Sequence, residues 1–306
     1  MAAADGRYAP SPSGPLHLGN LRTALLAWLF ARSQGARFLL RIEDLDPQRS
    51  RREHELRALA DLRLLGLDWD AEPVRQSTRR ARHREAFEEL RAAGRVYPCW
   101  CTRAEVRLAS AAPHADARGG VYPGTCRALP ARGRAERERA GAPQAWRLDA
   151  RGSSASFSDA LHGVRSAAVD DFVLWRGDDV PAYNLAVVLD DADQGIGEVV
   201  RGDDLLETTP RQVLLGQLLG LAAPRYVHVP LVLGPDGKRL AKRHGAVTLA
   251  ELRAAGLSVD ALIGWMAASS GLTDSAAPIS AAELIARFEP ARLARTATIF
   301  EPLGRC

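Results

Sequence analysis

Apolar positions recur at i, i+3 and i+4 through Leu21, Ala24, Leu25, Trp28 and Leu29, which predicts a buried helix over 21–34, closed by Gly35. The run 37–42, RFLLRI, predicts a short buried strand. Over 51–65 and about 77–94 the pattern is helical with a charged outer face. The second of these leads to Val96, Tyr97 and Pro98, and short strands are predicted at 146–148, 156–159 and 171–176. The apolar runs 181–191, 199–206 and 226–233 read as further strands, the last closing the strand series. Thr208, Thr209 and Pro210 stand where a helix N-terminus wants hydroxyls and proline, so a helix is predicted to about 219. After Gly245 the pattern predicts helix to the end, with Leu249, Leu252, Leu257, Leu262, Trp265 and Met266 inward.

The stretch 7–20, RYAPSPSGPLHLGN, precedes the first helix. Pro10, Pro12, Gly14 and Pro15 forbid a helix and stiffen the path. His17 and Gly19 then fall at the helix start, where unpaired amides and the positive end of the dipole suit a phosphate. Strand, helix and strand at this spacing form a βαβ unit. It places Glu43, Asp44 and Asp46 at the carboxyl end of a strand, the ligand-binding edge of an open parallel sheet. A carboxylate there suits a substrate amine. For Asp44 and Asp46 the simpler reading is a cap on the next helix.

Composition adds less. The 306 residues are 46% apolar and 25% charged, enough for a large core. No apolar run approaches the roughly 18 residues of a membrane helix. The start has neither the charged nor the apolar part of a signal peptide. A cytoplasmic protein working without a membrane, as a monomer, is expected. The net charge of +4 permits an anionic partner.

Two details are sharper. Of 41 basic residues only two are lysine, and both, Lys238 and Lys242, lie in GPDGKRLAKRHG. That loop points to a need for a compact ammonium on a flexible stem. Cys99, Cys101 and Cys126 cluster in the sequence, while Cys306 stands apart. A closed tetrahedral zinc site needs a fourth ligand, for which Tyr122 and His114 are available. Imidazole is the commoner ligand, so residue chemistry alone favours His114.

PSPSGPLHLGN, IEDLDP, YNLAVVLDD, VRGDDLLETTPRQ and RLAKR occur in the order that resembles the glutamyl branch of the class I aminoacyl-tRNA synthetases. The resemblance spans nearly all of 7–245. It implies an α/β, Rossmann-like parallel-sheet catalytic domain over 1–97 and 145–237. A zinc-bearing insertion over 98–144 and a lysine loop with a helical subdomain over 238–306 complete the chain, with no anticodon-binding domain. That brevity, with C-x-C-x20-Y-x3-C, resembles the members that modify queuosine, and there Tyr122 joins Cys99, Cys101 and Cys126 on Zn2+. The implied partners are L-glutamate, ATP with Mg2+, and tRNA(Asp) bearing queuosine. Activation of glutamate without tRNA is implied as well. His17 and Lys242 carry the catalysis by resemblance. Arg7, Tyr8, Ala9, Pro10, Ser11, Glu43, Tyr183 and Arg201 bind glutamate. His17, Gly19, Asn20, Arg239, Leu240, Ala241, Lys242 and Arg243 bind ATP. The second signature departs from K-x-S-K-[SR], with Arg239 for its first Lys and Ala241 for its Ser.

Overall fold

A computed structural model describes residues 3–102, 104–106, 122–141, 143–245 and 247–301. The main sheet follows from the apolar runs. Its strands are β1 (Gly6–Tyr8), β2 (Phe38–Ile42), β3 (Val74–Arg75), β6 (Ser154–Asp159), β7 (Gly163–Ala168), β9 (Glu198–Gly202) and β10 (Arg225–Val229). Their order is β3-β2-β1-β9-β10-β6-β7. All neighbours pair parallel except β6 and β7, which form an antiparallel hairpin. A second sheet pairs β4 (Val96–Cys99), β5 (Ala145–Leu148) and β8 (Val173–Trp175) antiparallel. The chain has the α/β, Rossmann-like catalytic fold with a C-terminal helical region.

Helix α1 (Leu18–Arg32) crosses from β1 to β2 and is buried on nearly every face. It therefore occupies the centre of one apolar cluster, against β1, β2 and the C-terminal helices. Helices α2 (Arg52–Leu64) and α3 (Arg80–Ala92) match the predicted charged, amphipathic segments. Helix α4 (Ala131–Arg139) buries no residue, as its Arg, Glu and Gly composition requires. Helices α5 (Tyr183–Asp193) and α6 (Thr209–Leu218) cover the opposite face of the sheet, in a second cluster with Phe87, Leu148 and Trp175.

Five expectations are corrected. The strand expected over 199–206 stops at Gly202, and Asp203–Thr208 turns into a 3-10 helix. Residues 181–191 are not a strand: Leu185, Ala186 and Leu189 face the core along helix α5. A short apolar run carries no period of its own, and Val187 and Val188 mimic a strand. The run 226–233 divides at Pro230, which cannot donate to a ladder, so β10 ends at Val229 and β11 (Val232–Leu233) starts afresh. Helix does not run to the end. After α7 (Leu249–Ala254), α8 (Val259–Ser269) and α9 (Ala281–Ile285), β12 (Thr298–Ile299) pairs with β11. Asp44 caps no part of α2. Its carboxylate accepts the Ser77 amide at 2.8 Å and pins the turn before α3, while Asp46 accepts from Gln48 in the turn before α2.

Candidate active site

The order of the sheet reverses between β1 and β9, and a cavity of about 610 Å³ opens where their carboxyl ends part. Arg7, Tyr8, Ala9, Pro10 and Ser11 enter it from β1 and the stiff loop. That loop is held by its own main chain, because Pro10 O accepts the Glu43 amide at 3.0 Å and Pro12 O the Arg51 amide at 2.9 Å. Glu43 is thereby set into the wall. Tyr183 projects from the first turn of α5, and Arg201 leaves the end of β9. His17, Gly19 and Asn20 form the far wall with Arg239.

The His17 imidazole is the N-cap of α1. Its Nδ1 accepts the Asn20 amide at 3.2 Å, and Asn20 Oδ1 accepts the His17 amide at 3.2 Å. With Nδ1 used as an acceptor, the ring proton belongs on Nε2. Burial, helped by the charge of Arg239, pushes His17 down to about 4, so the ring is neutral at pH 7. In the first turn Leu18 donates to Val247 O at 2.8 Å, and Gly19 lines the cavity. A Cβ on Gly19 would lie 3.1 Å from the His17 ring and from Val232 Cβ, so this glycine lets ring and strand close together.

Arg7 and Arg41 converge on Asp191. Arg7 donates from Nε at 3.1 Å and Arg41 from Nη1 at 2.6 Å, and Arg41 reaches Glu43 Oε1 at 3.4 Å. Burial works to raise the Asp191 carboxyl, but the Arg41 and Arg7 guanidiniums outweigh it and hold it below its ordinary range. At Glu43 the balance reverses: burial raises the carboxyl more than Arg41 and Arg7 lower it. Arg201 pairs with no carboxylate among the described residues. It donates to His228 at 3.0 Å and Thr209 at 2.8 Å. Thr209 therefore does not cap α6, as its position in the sequence suggests. Its hydroxyl is turned inward to Leu205 O at 3.1 Å.

Arg239 pairs with Asp204 at 2.9 Å across the cavity mouth. Leu240 is packed in the core, and Ala241 and Arg243 lie outside the lining, Arg243 beside Asp236. Lys242 begins a short 3-10 turn, and its side chain lies outside the described atoms. The loop that carries it is fastened at one end to β11 and at the other to the His17 turn. Leu240 N donates to Val232 O at 3.1 Å, and Thr248 bridges His17. Arg41, Asp191, Asp204, Thr209 and His228 escaped the sequence reading. A lone arginine inside the apolar run FLLRI was the available signal, since a buried cation needs a partner.

The cysteine cluster is a separate centre. The Sγ atoms of Cys99, Cys101 and Cys126 lie within 4.8 Å of one another. Tyr122 Oη lies 3.5 Å from Cys99 Sγ and 3.6 Å from Cys101 Sγ. Ligands at about 2.3 Å from a tetrahedral ion stand roughly 3.8 Å apart, so the three thiols can hold a metal. Arg147 donates to Cys99 Sγ at 3.2 Å and lies over the Tyr122 ring at 3.8 Å, offsetting negative charge. Burial raises the Tyr122 phenol and pushes Cys101 up to about 12, while at Cys126 burial is outweighed by hydrogen bonds from Tyr122 and the Trp100 amide, which hold the thiol below its ordinary range. His114 lies outside the described residues.

Comparison with known proteins agrees with this geometry. The family described as tRNA synthetases class I (E and Q), catalytic domain, matches residues 4–301. A glutamyl-Q tRNA(Asp) synthetase of Nocardia farcinica is 56% identical over 299 residues, covering 98% of this chain and 94% of that protein. One from Symbiobacterium thermophilum is 50% identical over 302 residues, covering 95% and 94%. The crystal structure of a glutamate tRNA ligase from Elizabethkingia meningosepticum, in complex with its amino acid, superposes with a TM-score of 0.82 at 29% identity. It covers 97% of this chain and 67% of that one. With the cavity at the β1–β9 switch and its His17 cap, these matches show that the chain belongs to the class I glutamyl- and glutaminyl-type tRNA synthetases, in the glutamyl-Q tRNA(Asp) synthetase branch.

Proposed function

We propose that the chain activates L-glutamate with ATP, without requiring tRNA, and passes the glutamyl group to queuosine in the anticodon loop of tRNA(Asp). A carboxylate oxygen of glutamate attacks the α-phosphorus of ATP. The new O–P bond gives glutamyl-adenylate, and pyrophosphate leaves. A hydroxyl of the queuosine cyclopentenediol then attacks the acyl carbon. The ester forms, AMP departs, and the hydroxyl proton is released. The substrate carboxylate is itself the nucleophile, so the protein supplies position and positive charge rather than an activated side chain.

The observation that carries this reading is one cavity holding a carboxylate, Glu43, beside two arginines, Arg7 and Arg201, and a neutral histidine N-cap. Glu43 pairs with the ammonium of glutamate. Arg201, lacking an acidic partner among the described residues, takes the side-chain carboxylate. Tyr8, Ala9, Pro10, Ser11 and Tyr183 complete that pocket. His17 Nε2–H, the Gly19 amide and Asn20 face the ATP phosphates, which arrive with Mg2+. Arg239 and Lys242 close over them, with Leu240, Ala241 and Arg243 shaping the loop. Cys99, Cys101, Cys126 and Tyr122 would hold one structural Zn2+, which cross-links the insertion when bound. Among the described residues no helix is long and apolar enough to cross a membrane.

Labelled glutamate, offered with ATP and either queuosine-bearing or queuosine-lacking tRNA(Asp), tests the whole reading. Label is expected only on the queuosine-bearing RNA, within the anticodon fragment. Label on the 3′ terminal adenosine of tRNA(Glu) would overturn it.

A further inference from the structure

Arg201, His228, Thr209 and Asp159 are all buried, and they form one hydrogen-bonded chain behind the glutamate pocket. Arg201 Nε donates to His228 Nε2 at 3.0 Å, and Arg201 Nη2 donates to Thr209 Oγ1 at 2.8 Å. A guanidinium can only donate. His228 Nε2 must therefore present its lone pair, and the ring proton sits on Nδ1. That nitrogen lies 2.7 Å from Asp159 Oδ2, which accepts. Asp159 is itself immobilised by main-chain amides. Leu161 and His162 each donate to Oδ1 at 2.9 Å, and the His228 amide donates to Oδ2 at 3.0 Å. The ring is sandwiched further by Tyr226, stacked at 5.9 Å, and Phe157, edge-on at 6.2 Å.

We propose that Asp159 and His228 are positioning residues: Asp159 fixes the imidazole tautomer, and His228 Nε2 then aims the Arg201 guanidinium at the side-chain carboxylate of the amino-acid substrate. This rests on the glutamate reading above. Arg7 is less suited to that task, because its guanidinium is already engaged by Asp191 at 3.1 Å. Arg201 meets no carboxylate among the described residues, and its bonds to His228 and Thr209 use Nε and Nη2, leaving Nη1 hydrogens to offer. A fixed cation fork of this kind favours an anionic side chain over its neutral amide. Burial holds the His228 imidazole below its ordinary range against the opposing pull of Asp159, in keeping with a neutral ring.

Two measurements on the full chain test this. Nitrogen NMR of 15N-histidine-labelled protein at pH 7 should show His228 neutral, protonated on Nδ1 and bare on Nε2. An Nε2–H ring or an imidazolium would overturn the proposal, whatever the variants do. In glutamate-dependent ATP–pyrophosphate exchange without RNA, His228→Leu should raise the KM for glutamate at least about tenfold, the loss of one well-aimed charge-assisted contact. The KM for ATP should stay at the wild-type value, and discrimination against glutamine should fall. His228→Gln, whose amide oxygen can accept from Arg201, should recover most of the glutamate KM; a merely structural role would give no such rescue. An unchanged glutamate KM in folded His228→Leu would also overturn the proposal. Absence of glutamate-dependent exchange in the wild type would instead sink the glutamate reading, and the ring spectrum would still decide where the proton lies.

Discussion

The Arg41 guanidinium meets the Asp191 carboxylate at 2.6 Å inside the molecule, with Arg41 wholly buried. Arg7 shares the same oxygen, so one carboxylate offsets two buried cations at the back of the glutamate pocket. Removing it leaves Arg7 without a carboxylate among the described residues and Arg41 with Glu43 alone, at 3.4 Å. Asp191→Asn should therefore cost about 3–5 kcal/mol of stability, the usual penalty for breaking a buried pair. The pH dependence has a definite sign. The folded carboxyl is depressed, so its stabilisation is complete above the unfolded pKa and disappears as pH falls through the folded one. Urea midpoints measured from pH 7 downward should show this loss in the wild type and a flatter profile in the variant. A variant as stable as the wild type at pH 7 would show that the two arginines find other partners.

Glu43 is shifted the other way, upward, chiefly by burial. Only its ionised form can pair with the substrate ammonium. Glutamate affinity should be complete above the raised pKa and weaken as pH falls through it, beginning at a higher pH than an exposed glutamate would give. Glu43→Gln should raise the KM for glutamate about tenfold or more, by loss of one charge-assisted bond, and remove that pH dependence. Exchange kinetics over the acid range measure both. A variant that retained the wild-type pH dependence of KM would assign it to another group.

His17 titrates at about 4, so it should contribute no acid limb near the ordinary histidine value of roughly 6.5. In the proposed function the neutral ring still matters, because there Nε2–H points a dipole where phosphate charge develops. His17→Ala should lower the rate of adenylate formation about 10²- to 10³-fold, as for one lost preorganised donor. It also removes the cap of α1, worth about 1 kcal/mol. The rate loss should persist at temperatures where the variant is fully folded by circular dichroism. A rate that recovered with folding would reduce His17 to a cap.

How much of this was visible in the sequence depends on whether a residue's role is local. His17, Gly19 and Asn20 were legible because cap and helix start are four consecutive residues with a recognisable order. Glu43 was legible because it directly follows a strand. Asp191 and His228 were not, since their partners lie 184 and 69 positions away, in Arg7 and Asp159. Nothing local in YVHVP distinguishes a core histidine from one that orients an arginine. The misread strand at 181–191 has the same origin. Tyr183 lines the cavity from the first residue of a helix rather than from a strand, and an apolar stretch of that length fits either structure. Motif order along the chain supplied Tyr183 and Arg201 where local pattern could not.

Lys242 sits in a loop anchored to the His17 turn through Thr248 and to β11 through Val232. Lys242→Ala should abolish pyrophosphate exchange while glutamate binding, followed by calorimetry, survives, because the glutamate pocket is built from other elements. Lys238→Ala should leave most of the exchange rate. If Lys242→Ala exchanged near the wild-type rate, with Lys238→Ala inactive, the ammonium of this loop would be assigned to the wrong lysine.

The cysteine cluster shares no residue with the active cavity, so its metal should serve shape rather than adenylate chemistry. Elemental analysis should find about one zinc per chain, the stoichiometry of one closed tetrahedral site. X-ray absorption should give three sulfur scatterers and one oxygen. The oxygen follows from Tyr122 Oη, which lies 3.5 Å and 3.6 Å from two of the thiols, a separation suited to shared coordination. Tyr122→Phe should remove the oxygen and weaken retention against a chelator, while Cys101→Ser should release the metal outright. Because Cys101 holds its proton up to about 12 in the absence of a cation, zinc uptake at pH 7 should release protons that a pH indicator can count. Chelation should reduce transfer to tRNA more than glutamate-dependent exchange, since the insertion rather than the cavity loses its cross-link. A nitrogen scatterer with imidazole multiple scattering would move the fourth position from Tyr122 to His114.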